Sequence, residues 1–127
     1  MAKQQKFYLC EHCKNLVGVI AGGGAPLVCC GSPMKELVAN TSDGAKEKHV
    51  PVVEVAGNQV KVAVGSAAHP MTEEHLITWV YLQTEKGGQR KALQAGEKPE
   101  AVFATTGDQP LAVYAYCNLH GLWKTDI

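Results

Sequence analysis

The chain has 127 residues, and its twelve Lys and Arg are balanced by twelve Asp and Glu, so the formal net charge is zero. A neutral chain lacks the basic face with which nucleic-acid-binding proteins neutralise phosphates, so no nucleic-acid partner is expected. The length allows one domain, or a small domain beside a sandwich of about 90 residues. No apolar run approaches the ~18 residues of a membrane span, and the N-terminus has no signal-peptide pattern. We therefore expect a cytoplasmic protein without a membrane partner.

The five cysteines indicate metal binding rather than a disulfide framework. Their number is odd and no export signal precedes them, and both features disfavour disulfides. Four of them fall in the first thirty residues, as Cys10 and Cys13 in one turn and then the doublet Cys29-Cys30. A unit of this size has too few apolar residues for a core of its own. It needs a staple, which a four-thiolate metal site supplies.

The doublet Cys29-Cys30 limits the kind of site. A zinc ribbon would carry a second Cys-x-x-Cys, and adjacent thiols impose a distorted angle that zinc does not require. A zinc knuckle, a vicinal disulfide and a thioredoxin-like redox motif are the alternatives, although the last lacks its βαβ pattern. His12 lies inside the first turn and is expected to face solvent, so it is not counted as a ligand.

The first segment, with its doublet, resembles desulforedoxin, a rubredoxin-like mononuclear iron module. The resemblance implies a small iron domain with four thiolate ligands, which are Cys10, Cys13, Cys29 and Cys30. Turn-forming residues then cluster before position 45 and predict a linker. We expect a first domain over residues 1–37, a linker over 38–44 and a second domain over 45–127.

The second domain is predicted to consist of short β-strands. Apolar residues recur with a period of two at Val60, Val62 and Val64, which is typical of a half-buried strand. Seven such segments separated by turn signals predict an immunoglobulin-like antiparallel β-sandwich, so the whole chain is mainly β. The segments are residues 50–55, 59–64, 75–84, 89–93, 101–106, 111–117 and 122–125.

Five potential metal donors lie at the ends of these strands. His49 precedes the first strand, His69 and His75 fall around the start of the third, and Cys117 and His120 share the turn between the last two. Five donors exceed the four of a tetrahedral structural zinc site. Imidazoles with one thiolate suit a redox-active transition metal that keeps a coordination position open.

Three segments carry a further resemblance: Glu47-Lys48-His49-Val50-Pro51, His69-Pro70-Met71 with His75, and Cys117-Asn118-Leu119-His120-Gly121. Together they resemble superoxide reductase, and the four-cysteine module in front makes the chain similar to the two-iron form, the desulfoferrodoxin family. The resemblance covers essentially the whole chain. It implies a second mononuclear non-haem iron with four equatorial imidazoles and one axial thiolate, which are His49, His69, His75, His120 and Cys117.

The resemblance also implies the activity, which is one-electron reduction of superoxide to hydrogen peroxide in oxidative-stress defence. It implies an external electron donor, expected to be rubredoxin, and a homodimer. Lys48 is implied to attract superoxide and to order the water that protonates the product. Glu47 is implied to occupy the sixth position of the resting ferric iron. Two other interpretations stay open, namely a non-catalytic iron electron-transfer protein and a structural zinc protein whose sandwich is a binding module.

Overall fold

The computed structural model describes residues 4–127, which divide into two compact units. The first unit ends at Val38 and the second spans Ala39–Ile127. The regular structure is almost entirely β-strand, and the described residues contain one helix, a single turn. None of the helical structure described has the length and apolar character that a membrane crossing requires.

The first unit is a three-stranded antiparallel sheet with a short separate hairpin. β1 is the central strand, and β2 and β5 pair with it on either side, while β3 and β4 form the hairpin. Within the described part of this unit, Phe7 and Cys10 are the buried apolar side chains. Such a small core agrees with the expectation that this unit needs a metal staple. The strands are β1 Lys6–Leu9, β2 Leu16–Val19, β3 Val28–Cys29, β4 Ser32–Pro33 and β5 Lys35–Glu36.

The second unit is a sandwich of two antiparallel sheets. It contains α1 Lys46–His49, β6 Pro51–Ala56, β7 Gln59–Val64, β8 Ile77–Thr84, β9 Gly87–Ala92, β10 Glu100–Ala104, β11 Pro110–Cys117 and β12 Gly121–Asp126. One sheet has the strand order β10-β7-β6 and the other β12-β11-β8-β9. The predicted fold class, a mainly β chain with a small N-terminal unit before an immunoglobulin-like antiparallel sandwich, is confirmed.

The core lies between the two sheets and follows the predicted alternation. Val60, Val62 and Val64 of β7 are buried, and they pack in one cluster with Val80 of β8 and Val113 of β11. Burial of each such side chain contributes about 1.5–3 kcal/mol to stability. The strands are therefore firmly held, and the loops at their ends start from fixed positions.

The strand ends differ from the prediction by one or two residues, and one difference concerns the site. β8 begins at Ile77 rather than at position 75. The cause is a tight turn in which the N–H of Thr72 donates to the carbonyl of His75 at 3.0 Å and the N–H of His75 to that of Thr72 at 3.3 Å. His75 therefore lies on a loop rather than on the strand.

Candidate metal centres

Five donor side chains lie on the loops at one end of the sandwich. His49 ends α1 directly before β6, and His69 and His75 lie on the connection between β7 and β8. Cys117 is the last residue of β11, and His120 is in the turn that leads into β12. The turn closes at Gly121, whose φ of 78° is in the left-handed region that favours glycine.

The donor atoms of this group lie close together. The candidate ligand atoms of His49, His69, His75 and Cys117 all fall within 4.8 Å of one another. His120 completes the group, because its Nδ1 is 3.1 Å from Nε2 of His49 and 3.8 Å from Sγ of Cys117. The Cys117 side chain is fully buried. The structure thus brings together all five residues that the sequence suggested, in the geometry of one mononuclear centre.

Backbone carbonyls fix two of the imidazole tautomers. Nδ1 of His49 donates to the carbonyl of Ala45 at 2.7 Å, and Nδ1 of His69 donates to that of Pro70 at 2.6 Å. Each Nε2 is then an unprotonated acceptor, and the two Nε2 atoms lie 3.2 Å apart. Lone pairs that face each other at this distance repel, and a cation between them converts the repulsion into two ligand bonds.

A third imidazole, that of His75, gives independent support for a metal at this site. Nε2 of His75 is buried and has no hydrogen-bond partner within residues 4–127. An unpaired buried nitrogen costs about 1–3 kcal/mol, so such groups are rare unless something binds them. A metal ion would satisfy it, and the described residues therefore fit a bound cation.

Burial favours the neutral form of His49, His69 and His75. It is the main cause that lowers the pKa of His69, to about 4. Burial also lowers the pKa of His49 and of His75. Neutral imidazoles are the form that binds a metal, so at neutral pH these three side chains need lose no proton to bind one. Four imidazoles and one thiolate exceed a tetrahedral zinc site and suit a transition metal with an open position.

Glu47 and Lys48 lie at the rim of this centre. Both side chains are exposed, and both belong to the helical turn α1 that ends in His49. The carbonyl of Glu47 accepts hydrogen bonds from the N–H of Ala67 at 2.7 Å and from Oγ of Ser66 at 3.2 Å. The turn is thus anchored by its backbone while its charged side chains stay in solvent.

The second group of donors lies in the first unit. The sulfurs of Cys10, Cys13, Cys29 and Cys30 all fall within 4.8 Å of one another, and all are free thiols. Cys10 is buried, whereas Cys13 and Cys30 are exposed. His12 is also exposed, as the sequence suggested.

The pKa values of the Cys10 and Cys30 thiols are shifted in opposite directions. The N–H of Cys13 lowers the pKa of the Cys10 thiol to about 6. Hydrogen bonding with Cys13 and Cys10 raises the pKa of the Cys30 thiol to about 12. Four clustered thiols cannot all ionise without a cation between them, and a metal removes that conflict. This group therefore also fits a metal.

Two residues that support the group of four histidines and Cys117 were not predicted from the sequence. The indole of Trp123 stacks on the His49 ring, and its N–H donates to the carbonyl of His120. The side chain of Asn118 bonds to the backbone on both sides of His75. The position of Asn118 inside the Cys-x-x-His turn is the one sequence signal for its role, whereas nothing in the sequence pairs Trp123 with His49.

Comparison with known proteins supports this description. The Desulfoferrodoxin family model matches residues 41–126, and the model for the N-terminal domain of desulfoferrodoxin matches residues 2–37. The desulfoferrodoxin of Nitratidesulfovibrio vulgaris is 51% identical over 126 residues, which cover 99% of each chain.

Solved structures show the same relationship. The superoxide reductase from Treponema pallidum is 47% identical with a TM-score of 0.81, over 97% of this chain and 99% of that one. The superoxide reductase (1Fe-SOR) from Giardia intestinalis is 32% identical with a TM-score of 0.54. It aligns over 98% of its own length but over 65% of this chain.

Proposed function

This chain belongs to the desulfoferrodoxin family, and we propose that it is a superoxide reductase with two mononuclear non-haem irons. The observation that carries the proposal is the convergence of four imidazoles and one buried thiolate at one end of the sandwich. The reaction consumes one electron and two protons for each superoxide and yields one hydrogen peroxide. The electron comes ultimately from an external donor.

The protein's part in the reaction follows from its ligands. When bound, iron supplies the electron by cycling between its ferrous and ferric states. His49, His69, His75 and His120 would hold it as neutral ligands and Cys117 as the single anionic one. With this ligand set a bound ferrous ion would keep a net single positive charge, which would attract a small anion. Cys117 is fully buried, and as a thiolate ligand it would donate electron density to the metal and so tune its potential.

Lys48 is proposed to guide the substrate and to supply protons through an ordered water. Its charge acts at the site, since the pKa of His75 is lowered mainly by burial and then by His120 and Lys48. A positive rim around a small opening raises the rate at which a monoanion arrives. Glu47, on the same exposed turn, is proposed as the carboxylate that occupies the open position in the resting oxidised state.

The four cysteines of the first unit are proposed to hold the other iron. The ligands would be Cys10, Cys13, Cys29 and Cys30, and the site would supply the staple that this unit needs. We propose domain limits of 1–37 and 45–127, with 38–44 as the linker. A homodimer in the cytoplasm that takes electrons from rubredoxin completes the proposal, and family resemblance supports these last points.

Metal analysis and visible spectroscopy of the purified protein test the proposal. Two irons per chain are expected, with a red four-thiolate centre and, after oxidation, a second band at longer wavelength from the thiolate of Cys117. Replacement Cys117→Ser should abolish the second band and the reductase activity and leave the red centre unchanged. Two zinc ions and a colourless protein would contradict the proposal.

A further inference from the structure

Asn118 ties together the two loops that carry Cys117 and His75. Its Oδ1 accepts a hydrogen bond from the N–H of Leu76 at 3.0 Å, and its Nδ2 donates to the carbonyl of Glu74 at 2.9 Å. The N–H of Asn118 also donates to the carbonyl of Leu76 at 3.3 Å. The two side-chain bonds therefore hold the backbone immediately before and immediately after His75.

His75 needs this external support more than His49 and His69 do. The rings of His49 and His69 are oriented through their Nδ1 atoms by carbonyls that accept from them. In the part of the chain that the structure describes, Nε2 of His75 is buried and has no hydrogen-bond partner. The direction of this ring is therefore set by its backbone, which Thr72 turns and Asn118 anchors.

The amide group of asparagine is well suited to this task. It is planar, so its donor and its acceptor keep a fixed separation and direction. Two bonds from one rigid group to both neighbours of His75 fix the position and the tilt of that residue relative to the Cys117 turn. Since Asn118 directly follows Cys117 in the chain, displacement of one loop displaces the other.

We infer that Asn118 is a positioning residue that sets His75 against the Cys117 thiolate in the metal centre of the sandwich. The inference rests on the proposed function, because it assigns Asn118 a role toward the proposed iron. Asn118 is not one of the five proposed ligands, and its side chain bonds to the backbone of Leu76 and Glu74. Outer residues that orient ligands commonly change metal affinity by about 10- to 100-fold when they are removed.

Exposure separates this role from a merely structural one. Asn118 is exposed, so water replaces its hydrogen bonds when the side chain is removed, and the unfolding midpoint should move little. Water cannot, however, hold His75 in a fixed direction relative to Cys117, so the geometry of the metal centre should change. A positioning role therefore predicts a change in the metal centre that is out of proportion to the change in stability.

The chain offers a matched control in Asn40. Its Nδ2 donates to the carbonyl of Lys124 at 3.2 Å, and its Oδ1 accepts from the N–H of Lys124 at 2.9 Å. Asn40 is thus another exposed asparagine with two side-chain bonds to a distant stretch of backbone. Its φ of 64° makes glycine the appropriate replacement, since Asn40→Gly removes both bonds without strain.

The test compares Asn118→Ala, Asn118→Asp and Asn40→Gly in the full-length, iron-loaded protein. The readouts are the energy of the thiolate charge-transfer band, the reduction potential of that centre and the rate of iron loss to a chelator. The red four-cysteine centre serves as the internal standard for folding and loading. Asn118→Ala should shift the band and speed iron loss about 10-fold or more, whereas Asn40→Gly should change neither.

Asn118→Asp keeps the acceptor for Leu76 and loses the donor to Glu74, so its rate of iron loss should lie between those of wild type and Asn118→Ala. This variant also decides the question if Asn118→Ala does not fold. Equal behaviour of the Asn118 variants and Asn40→Gly would overturn the positioning role alone. A wild-type protein without the charge-transfer band would overturn the proposed function and this inference together.

Discussion

The indole of Trp123 lies stacked on the imidazole of His49, with 4.9 Å between ring centroids and 26° between the ring planes. Nε1 of Trp123 also donates to the carbonyl of His120 at 3.1 Å. One side chain, only 1% exposed, thus supports two of the proposed iron ligands. Trp123 is therefore part of the core and a support of the proposed metal ligands at the same time.

Substitutions at Trp123 should separate the effect of its stack on His49 from that of its hydrogen bond to His120. Trp123→Phe keeps a ring on His49 but loses the hydrogen bond to His120, and we expect a stability loss of about 1–2 kcal/mol. Trp123→Ala removes both contacts and should cost about 3–5 kcal/mol. Urea unfolding measures the loss, and the charge-transfer band reports on the ligands.

The control for this series is Trp79→Phe. Trp79 is buried and stacks on Tyr116 at 5.6 Å, so this variant should lose stability without moving the band. A band that stays in place in Trp123→Ala as well would contradict a supporting role for the indole.

Gly44 is a second position where packing reaches the ligands. A Cβ at this position would lie 3.2 Å from Cζ2 of Trp123, 3.3 Å from Cε1 of His49 and 3.4 Å from Cγ of His120. Gly44→Ala should therefore push these rings by a few tenths of an ångström, at a cost of about 1–3 kcal/mol. We expect a shifted charge-transfer band in Gly44→Ala. Gly23→Ala should leave the band unchanged, because nothing lies within 4 Å of a Cβ at that position. Identical spectra for the two variants would contradict the claim that a side chain at position 44 displaces the ligand rings.

The metal-free protein should lose stability on acidification between about pH 6.5 and pH 4. Burial lowers the pKa of His69 from 6.5 to about 4, so in this range the unfolded chain binds a proton that the folded chain does not. Stability then rises with pH across the window, by up to about 3 kcal/mol for this residue. The stabilisation from His69 is fully present above the pKa of the unfolded chain, 6.5, and is lost below the pKa of the folded chain, about 4.

Urea unfolding at several pH values measures this dependence. The pKa of Asp108 is lowered from its ordinary value of 3.8. The stabilisation that this carboxylate contributes is therefore lost only below the pH range in which His69 acts. His69→Gln should flatten the curve between pH 6.5 and pH 4. If the free energy of unfolding depends on pH as steeply in His69→Gln as in the wild type, other groups are responsible for the dependence.

Lys48→Ile should slow the second-order reaction with superoxide severalfold at low ionic strength. The reason is the loss of a positive charge at the rim of the site, and salt should reduce the difference because it screens the charge. Lys61→Ile is the matched control, since Lys61 is an exposed lysine in the middle of β7. An unchanged rate in Lys48→Ile, or an equal loss in Lys61→Ile, would rule out local steering.

The sandwich was predictable because its pattern is local. The alternation of Val60, Val62 and Val64 requires no knowledge of the partner strand, and the structure buries all three. The start of β8 was not predictable in the same way. It depends on the turn closed by Thr72 and His75, which competes with strand pairing for the same backbone groups.

The donors of the site were also predictable, whereas their supports were not. Histidines at loop–strand junctions and a Cys-x-x-His turn are visible in the sequence. The stack of Trp123 on His49, and the lack of room for a Cβ at Gly44 beside both rings, involve residues that only the fold brings together. The carbonyl partners of His49 and His69 are backbone groups, which carry no signal of residue type.

The central claim is tested most directly by pulse radiolysis of the fully reduced protein. Superoxide decay, hydrogen peroxide yield and dioxygen release are followed in the same experiment. The account predicts fast decay of superoxide with one hydrogen peroxide for each superoxide consumed and no dioxygen released. Slow decay would indicate an electron carrier, and release of dioxygen would indicate a dismutase; either result would contradict the account.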